Sequence, residues 1–188
     1  MPNWCFNNIR IKGPSAMLDK FQQDMAAACG ENQHFTYSFC TPMPEEYRQT
    51  TSPTPMSQKE VRKMAATYNW DYDVTMRKLE YAITPEQRAF YDSLIEKYGS
   101  ENWYDWANAN WGTKWDADCP SPPVRTPRTL TYKVDSPWGT PYVFVTRLIT
   151  KMKKDYPGLT FEWTYTLEGE YGNHTLFTHQ DVLEAEVV

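Results

Sequence analysis

Apolar and polar residues alternate with a period of two over four stretches of this chain, and between them apolar residues recur at three-to-four-residue spacing. The first pattern predicts half-buried strands and the second amphipathic helices. From Asn3 to Lys12, Cys5, Asn7, Ile9 and Ile11 fall on one side, while Trp4, Phe6, Asn8, Arg10 and Lys12 fall on the other. One side is core and the other is mostly polar. Gly13-Pro14-Ser15 then breaks the strand and offers an N-cap to a helix whose stripe is Leu18, Phe21, Met25 and Ala28, stopped at Gly30.

From about Phe35 to Asn110 the pattern changes to a proline-rich stretch, TPMPEEYRQTTSPTP, followed by helices. Ser57 with Glu60 is a capping-box pair, and Thr84 followed by Pro85 is a helix start. Phe90, Leu94 and Tyr98 form a stripe that ends at Gly99, and a short Trp-rich helical turn is expected around Trp103 and Trp106. The whole segment reads as a helical insertion, approximately 35–110, within a single domain over residues 1–188.

Strand character returns at Asn110 to Ala117, with Trp111, Thr113, Trp115 and Ala117 alternating against Gly112, Lys114 and Asp116. CPSPPVRTPRT reads as a proline-rich loop. Leu130, Tyr132 and Val134 mark a third strand, and Thr140-Pro141 is expected to cap a helix carrying Val145, Leu148, Ile149 and Met152 and ending at Tyr156-Pro157-Gly158. Leu159, Phe161, Trp163, Tyr165 and Leu167 form the inward side of a fourth strand. From about Asn173 the chain either adds an edge strand or stays loose. The order β, α, insertion, β, β, α, β predicts an α+β fold of ferredoxin-like βαββαβ type, an antiparallel sheet with two helices on one face.

At 188 residues a single core can stabilise the fold without disulfides or metals. With 8 Trp, 13 Tyr and 8 Phe, that core is aromatic, and its polar ring atoms need partners. No apolar run approaches the roughly 20 residues that span a bilayer, and MPNWCFNNIRIKG lacks a signal-peptide layout, so a cytoplasmic protein with no membrane partner is expected. Cys5, Cys29, Cys40 and Cys119 include no CxxC pair and read as reduced thiols. The net charge of -5 provides no overall positive field toward phosphates, so nucleic-acid binding is expected to be weak and local.

Candidate chemistry is sparse. If Asn110 to Ala117 is a strand, Lys114 and Asp116 share its outer face, as a ligand or acid-base site or as an ordinary cross-strand charge pair with Lys133 or Asp135. Inward parity makes Cys5 an inert buried thiol rather than a nucleophile, and makes Asn7 a buried amide that must find partners. His34, His174 and His179 have no metal-ligand spacing, and Asp116, Asp118, Asp135, Glu168 and Glu170 form no calcium loop, so no metal and no cofactor are expected. Trp4 and Phe6 could stack bases on an open sheet, helped by Arg10 and Lys12.

Five segments in order, MPNWCFN, PMPEE, NWGTKWDA, the SPWGTP turn around Trp138 and EGEYG, resemble the YubB-like ferredoxin-fold proteins of phages and conjugative plasmids. In one place the order departs: this chain reads Ser136-Pro137-Trp138-Gly139 where the family order is Trp-Ser-Pro-Pro. The resemblance implies a mobile genetic element acting inside a bacterial cell and assigns no activity. The leading expectation is a non-catalytic binding protein that engages a host or element-encoded protein through its helical insertion and aromatic surface; counter-defence suits that origin. The alternatives are a single-stranded nucleic-acid binder using the open sheet, and a small enzyme built around Lys114 and Asp116. The candidate binding residues are Trp4, Phe6, Arg10, Lys12, Lys114, Asp116 and Trp138.

Overall fold

Uninterrupted alternation from Trp4 to Lys12 produces a nine-residue central strand, β1 (Trp4–Lys12), with every odd-numbered side chain buried. The structure, a computed structural model, describes residues 3–170, 172 and 174–177. The other strands are β2 (Val124–Thr126), β3 (Thr129–Pro137), β4 (Thr160–Leu167) and β5 (His174–Phe177). They form one open sheet in the order β2-β3-β1-β4-β5, in which all neighbours are antiparallel. Of the end of the chain, His174–Phe177 form an edge strand, β5, while residues from 178 on, His179 among them, lie outside the described residues.

One face of the sheet is covered by two helices, α1 (Ser15–Ala28) and, in chain order the last helix, α6 (Tyr142–Asp155). Ile9 lies between Tyr132 of β3 and Trp163 of β4. Phe21 of α1 meets the ring of Tyr132, and Phe144 of α6 meets Trp163, so both helices pack on that face. Phe35 fills the middle: its ring centroid lies 5.2 Å from Tyr132, 5.7 Å from Phe144 and 6.5 Å from Trp163. These rings are tilted or edge-on, the arrangement aromatic quadrupoles favour. Burying one such ring is worth roughly 2–3 kcal/mol, more than any exposed ion pair on the molecule.

The Asn7 amide ties the central strands together. Its Nδ2 donates to Cys5 O (3.0 Å), Val134 O (3.0 Å) and Ser136 Oγ (2.8 Å), and its Oδ1 accepts from Trp163 Nε1 (3.0 Å). Ser136 Oγ in turn donates to Gly139 O at 2.7 Å, carrying the network into the turn after β3. A buried carboxamide is costly when any of its groups is orphaned, and here none is.

Two compact units are present, residues 1–42 with 107–188, and residues 43–106. Phe35 and Tyr37, read from the sequence as the start of the insertion, are fully buried in the first unit. The second contains α2 (Gln58–Tyr68), α3 (Tyr72–Glu80) and α4 (Pro85–Tyr98), and the division falls inside α5 (Trp103–Trp111). The capping boxes expected at Ser57/Glu60 and at the Thr84-Pro85 start are both formed, and Gly99 ends α4 with φ 78°. Within this unit Tyr47 packs on Tyr98 and Trp106 and donates its hydroxyl to Ser100 O at 2.8 Å.

Four expectations are corrected. Asn110 to Ala117 is not a strand: Asn110 and Trp111 end α5, and the rest is irregular apart from a bridge between Asp118 and Asp135. Asn102 Oδ1 accepts from the amides of Tyr104 and Asp105 and starts that helix, making it longer than a single turn. Strand β2 lies instead inside the proline-rich CPSPPVRTPRT. Neither Ser15 nor Thr140 caps a helix; prolines 14 and 141 occupy those N-cap positions without a side-chain bond.

Replacing Asn7 by Leu keeps the volume but orphans Trp163 Nε1 and removes the donor that Ser136 Oγ accepts from, leaving that hydroxyl only its bond to Gly139 O. Urea unfolding should show a loss of about 3 kcal/mol or more. The control Asn8→Leu, on the exposed side of the same strand, should stay within about 0.5 kcal/mol; equal effects would show that the amide network is not holding the sheet.

Candidate functional site

The uncovered face of the sheet follows from the register. Phe6 stands between Asp135 and Thr166, Asn8 between Lys133 and Thr164, Arg10 between Thr131 and Glu162, and Lys12 between Thr129 and Thr160. Thr131 and Thr129 are followed outward by Val124 and Thr126 of β2. The face is therefore a lattice of threonine hydroxyls with a line of long side chains from β1 along its middle. Phe6, Asn8, Arg10, Lys12 and Lys133 are all exposed, as the parity argument required. Among the described residues neither Arg10 nor Lys12 makes an ion pair, even though Glu162 is the register partner of Arg10.

At the start of β1 the face ends in a cluster of aromatic rings around Lys114. The Lys114 ammonium lies 3.8 Å from the ring centroid of Trp115 and 4.1 Å from that of Trp138, held between two indoles. Trp115 extends the cluster to Trp4, whose ring lies 6.4 Å away between centroids and is tilted by 49°. A cation over two indole faces is held by their quadrupoles and fixes both rings. Trp138 is 55% exposed and sits at φ 69°, a left-handed conformation that costs a bulky residue on the order of 1–3 kcal/mol. Its amide donates to Asn3 O at 2.7 Å, which anchors the turn beside the first strand. An exposed indole kept in a strained backbone position is an unusual arrangement unless the ring itself is used.

The remaining candidates separate. Lys114 and Asp116 are not a pair: Asp116 turns inward, accepting from Thr36 Oγ1 (2.6 Å), Tyr37 N (2.6 Å) and Ala117 N (2.7 Å). Burial pushes its carboxyl upward, against those hydrogen bonds. It is an anchor for the segment carrying Phe35 and Tyr37. Of the two tryptophans in NWGTKWDA that the alternation sets opposite Lys114 and Asp116, Trp111 is buried and donates Nε1–H to Thr41 O, while Trp115 is half-buried beside Lys114. The intervening Gly112 has φ 80°, and a Cβ there would meet Val143 N at 3.0 Å and Tyr142 N at 3.1 Å, so only glycine lets α5 end against the start of α6. Among the described residues no three His, Cys, Asp or Glu side chains converge as metal ligands would.

Sequence reasoning missed Arg128, and it missed that Lys114 serves the tryptophans rather than Asp116. Arg128 follows Pro127 in a two-residue turn between β2 and β3, and the Thr-Pro-Arg-Thr spelling was the available signal for a hairpin. Asp135 lies beside Asp118; burial first and that neighbouring carboxylate second push it upward. No helix among the described residues is long and apolar enough to cross a membrane. No family model, curated protein or solved structure matches the chain.

All four thiols are shifted toward the protonated form, chiefly by burial: Cys5, Cys29 and Cys119 to about 11 and Cys40 to about 12. At pH 8 the thiolate population is then on the order of one in a thousand, so reaction with Ellman's reagent should be at least tenfold slower than for a free thiol. Because these folded-state values lie above the unfolded ones, the thiols favour the fold below about pH 8.5 and lose that contribution as pH rises toward 11. A fast burst of one equivalent at pH 8 would contradict the assignment.

Proposed function

We propose that this chain is a non-catalytic binding protein with a ferredoxin-like βαββαβ sheet domain, extended by one edge strand, that holds single-stranded nucleic acid on its uncovered sheet face. The observation that carries the proposal is the single lane along β1: rings at one end (Trp138 and Phe6 exposed, Trp4 half-buried), cations at the other that make no ion pair among the described residues (Arg10, Lys12), and hydroxyls between. Bases stack on rings regardless of sequence, and cations track the phosphates. The lane is local, so the net charge of -5 limits affinity without removing it. The same resemblance that implies a phage or plasmid origin fits a protein that meets displaced strands inside a bacterial cell. Lys114, clamped by indoles, is a brace in this reading and no general acid.

A protein partner is a second reading, supported by a different observation. In the helical unit Tyr68, Tyr72, Met76 and Tyr81 are each 47% exposed or more, clustered along α3 and its two ends. Aromatic and methionine side chains left in water at that density are typical of interfaces.

Fluorescence anisotropy with a labelled ten-nucleotide strand separates the two. The expected Kd is roughly 10–100 μM at physiological salt, with a log–log salt slope of about -1.4 for two phosphate contacts. Trp138→Gly should weaken binding about tenfold or more, the worth of one stacked base, while leaving thermal stability unchanged or raised because the backbone strain is relieved. Binding that is absent, or that survives Trp138→Gly unchanged, rejects the strand reading. Loss of a captured protein partner on Tyr72→Ala with Met76→Ala would then favour the second.

A further inference from the structure

The far end of the lane is a cleft of about 360 Å³ lined by Arg10, Lys12, Gly13, Arg128, Thr129, Gly158 and Thr160. We propose that this cleft is a binding site for a terminal phosphomonoester, and, resting on the strand reading above, that it seats the phosphorylated end of a single strand whose bases run toward Trp138.

The cleft contains three cations and no acid. Among the described residues none of Arg10, Lys12 and Arg128 makes an ion pair. Glu162, the register partner of Arg10, lies outside the lining and forms no ion pair with it, so on a chain carrying more acidic than basic residues these three converging positive groups repel one another less once an anion joins them. All three stand on fixed backbone. Arg10 and Lys12 lie on the central strand, paired on both sides. Arg128 lies in the β2–β3 turn, where Thr126 Oγ1 accepts from the amides of Thr129 (3.0 Å) and Arg128 (3.4 Å) and meets Thr129 Oγ1 at 2.6 Å. Arg128 O also accepts from Gly13 N at 3.2 Å, closing the turn onto the end of β1. Two guanidinium forks, an ammonium and the Thr129 and Thr160 hydroxyls supply the donors that a phosphate's oxygens take up.

Two features favour a terminal over an internal phosphate. The first is charge: a phosphomonoester carries nearly two negative charges near neutral pH and a phosphodiester one, so the dianion answers three cations better. The second is closure. A Cβ on Gly13 would lie 2.5 Å from Leu159 Cδ2 and 2.8 Å from Gly158 O, so Gly13 is packed against the Leu159 side chain and the Gly158 carbonyl where the sheet stops, closing the cleft. A strand laid along β1 from Trp4 reaches Lys12 after roughly 26 Å, at about 3.3 Å per residue, and meets that closed end.

The test uses the full chain and strands labelled at the opposite end, with and without a terminal phosphate, at each end in turn. The phosphate at one end should tighten binding about tenfold. Arg128→Gln, an exposed side chain whose loss spares the fold, should reduce that gain to less than twofold while leaving the unphosphorylated strand within twofold of its original affinity. A nucleoside monophosphate alone, titrated by calorimetry, should bind the parent chain and lose binding in Arg128→Gln. Strands that bind equally with and without phosphate, with no monophosphate binding, overturn the cleft assignment and leave the strand reading intact. Monophosphate binding that depends on Arg128, without strand binding, does the reverse: the cleft is a phosphate site and the strand reading falls. Binding of neither overturns both.

Discussion

The Asn7 carboxamide sits between three strands and touches all of them. Two hydrogens on Nδ2 are shared by a carbonyl of its own strand, a carbonyl of β3 and the Ser136 hydroxyl, while Oδ1 takes the indole proton of Trp163 on β4. In a sheet a one-residue slip moves every side chain to the opposite face, so hydrophobic patterning alone tolerates no slip only where both faces differ strongly. On β1 the difference is moderate, since the outward set itself includes Trp4 and Phe6. The amide removes the ambiguity: any other register would orphan a buried donor or acceptor on each neighbouring strand, at about 1–3 kcal/mol apiece. Everything on the uncovered face inherits its position from this choice.

That inheritance makes the face rigid. Arg10, Lys12 and Phe6 cannot shift relative to the threonines of β3 and β4, because their own backbone groups are committed to ladders on both sides. Polar side chains fixed this way lose less freedom on engaging a ligand than the same residues on a loop. The two ends of the face are loops, and both are tied down. Ser136 connects the Asn7 network to the Trp138 turn, and Gly13 connects the end of β1 to the Arg128 turn. Core satisfaction and surface geometry are thus one system at each end of β1.

How much of this was legible follows from where periodicity was undisturbed. β1, β3 and β4 carry clean alternation and were read with nearly the right ends, as were the capped starts of α2 and α4. Trp111, Thr113, Trp115 and Ala117 imitate a strand, but the alternation comes from a helix end, a glycine and an irregular loop whose tryptophans serve different neighbours. Only tertiary contacts distinguish those. The three-residue β2 was hidden by flanking prolines, which mark turns and also mark edge strands. Of the site, Trp4, Phe6, Arg10 and Lys12 followed from parity on one strand. The Lys114 sandwich and Arg128 did not, because both depend on turns that bring distant segments to the ends of β1.

Two departures of this chain from local rules stand at the two ends of β1. A tryptophan occupies a left-handed position that glycine would fill at no cost, half its ring is left in water, and a lysine is spent on holding it. At the opposite end three cations make no ion pair among the described residues, in a chain that has acids in excess. Other elements follow local rules: the helices of the second unit start at good caps, and the buried Asn7 amide of the first has all its partners. Consistent folds break local rules chiefly where a site needs them broken. Two such departures at the two ends of one exposed strand, separated by hydroxyls and aligned by one register, define a surface with an aromatic pole and a cationic pole. A ligand suited to it must itself carry planar apolar groups and anionic groups on a common extended axis.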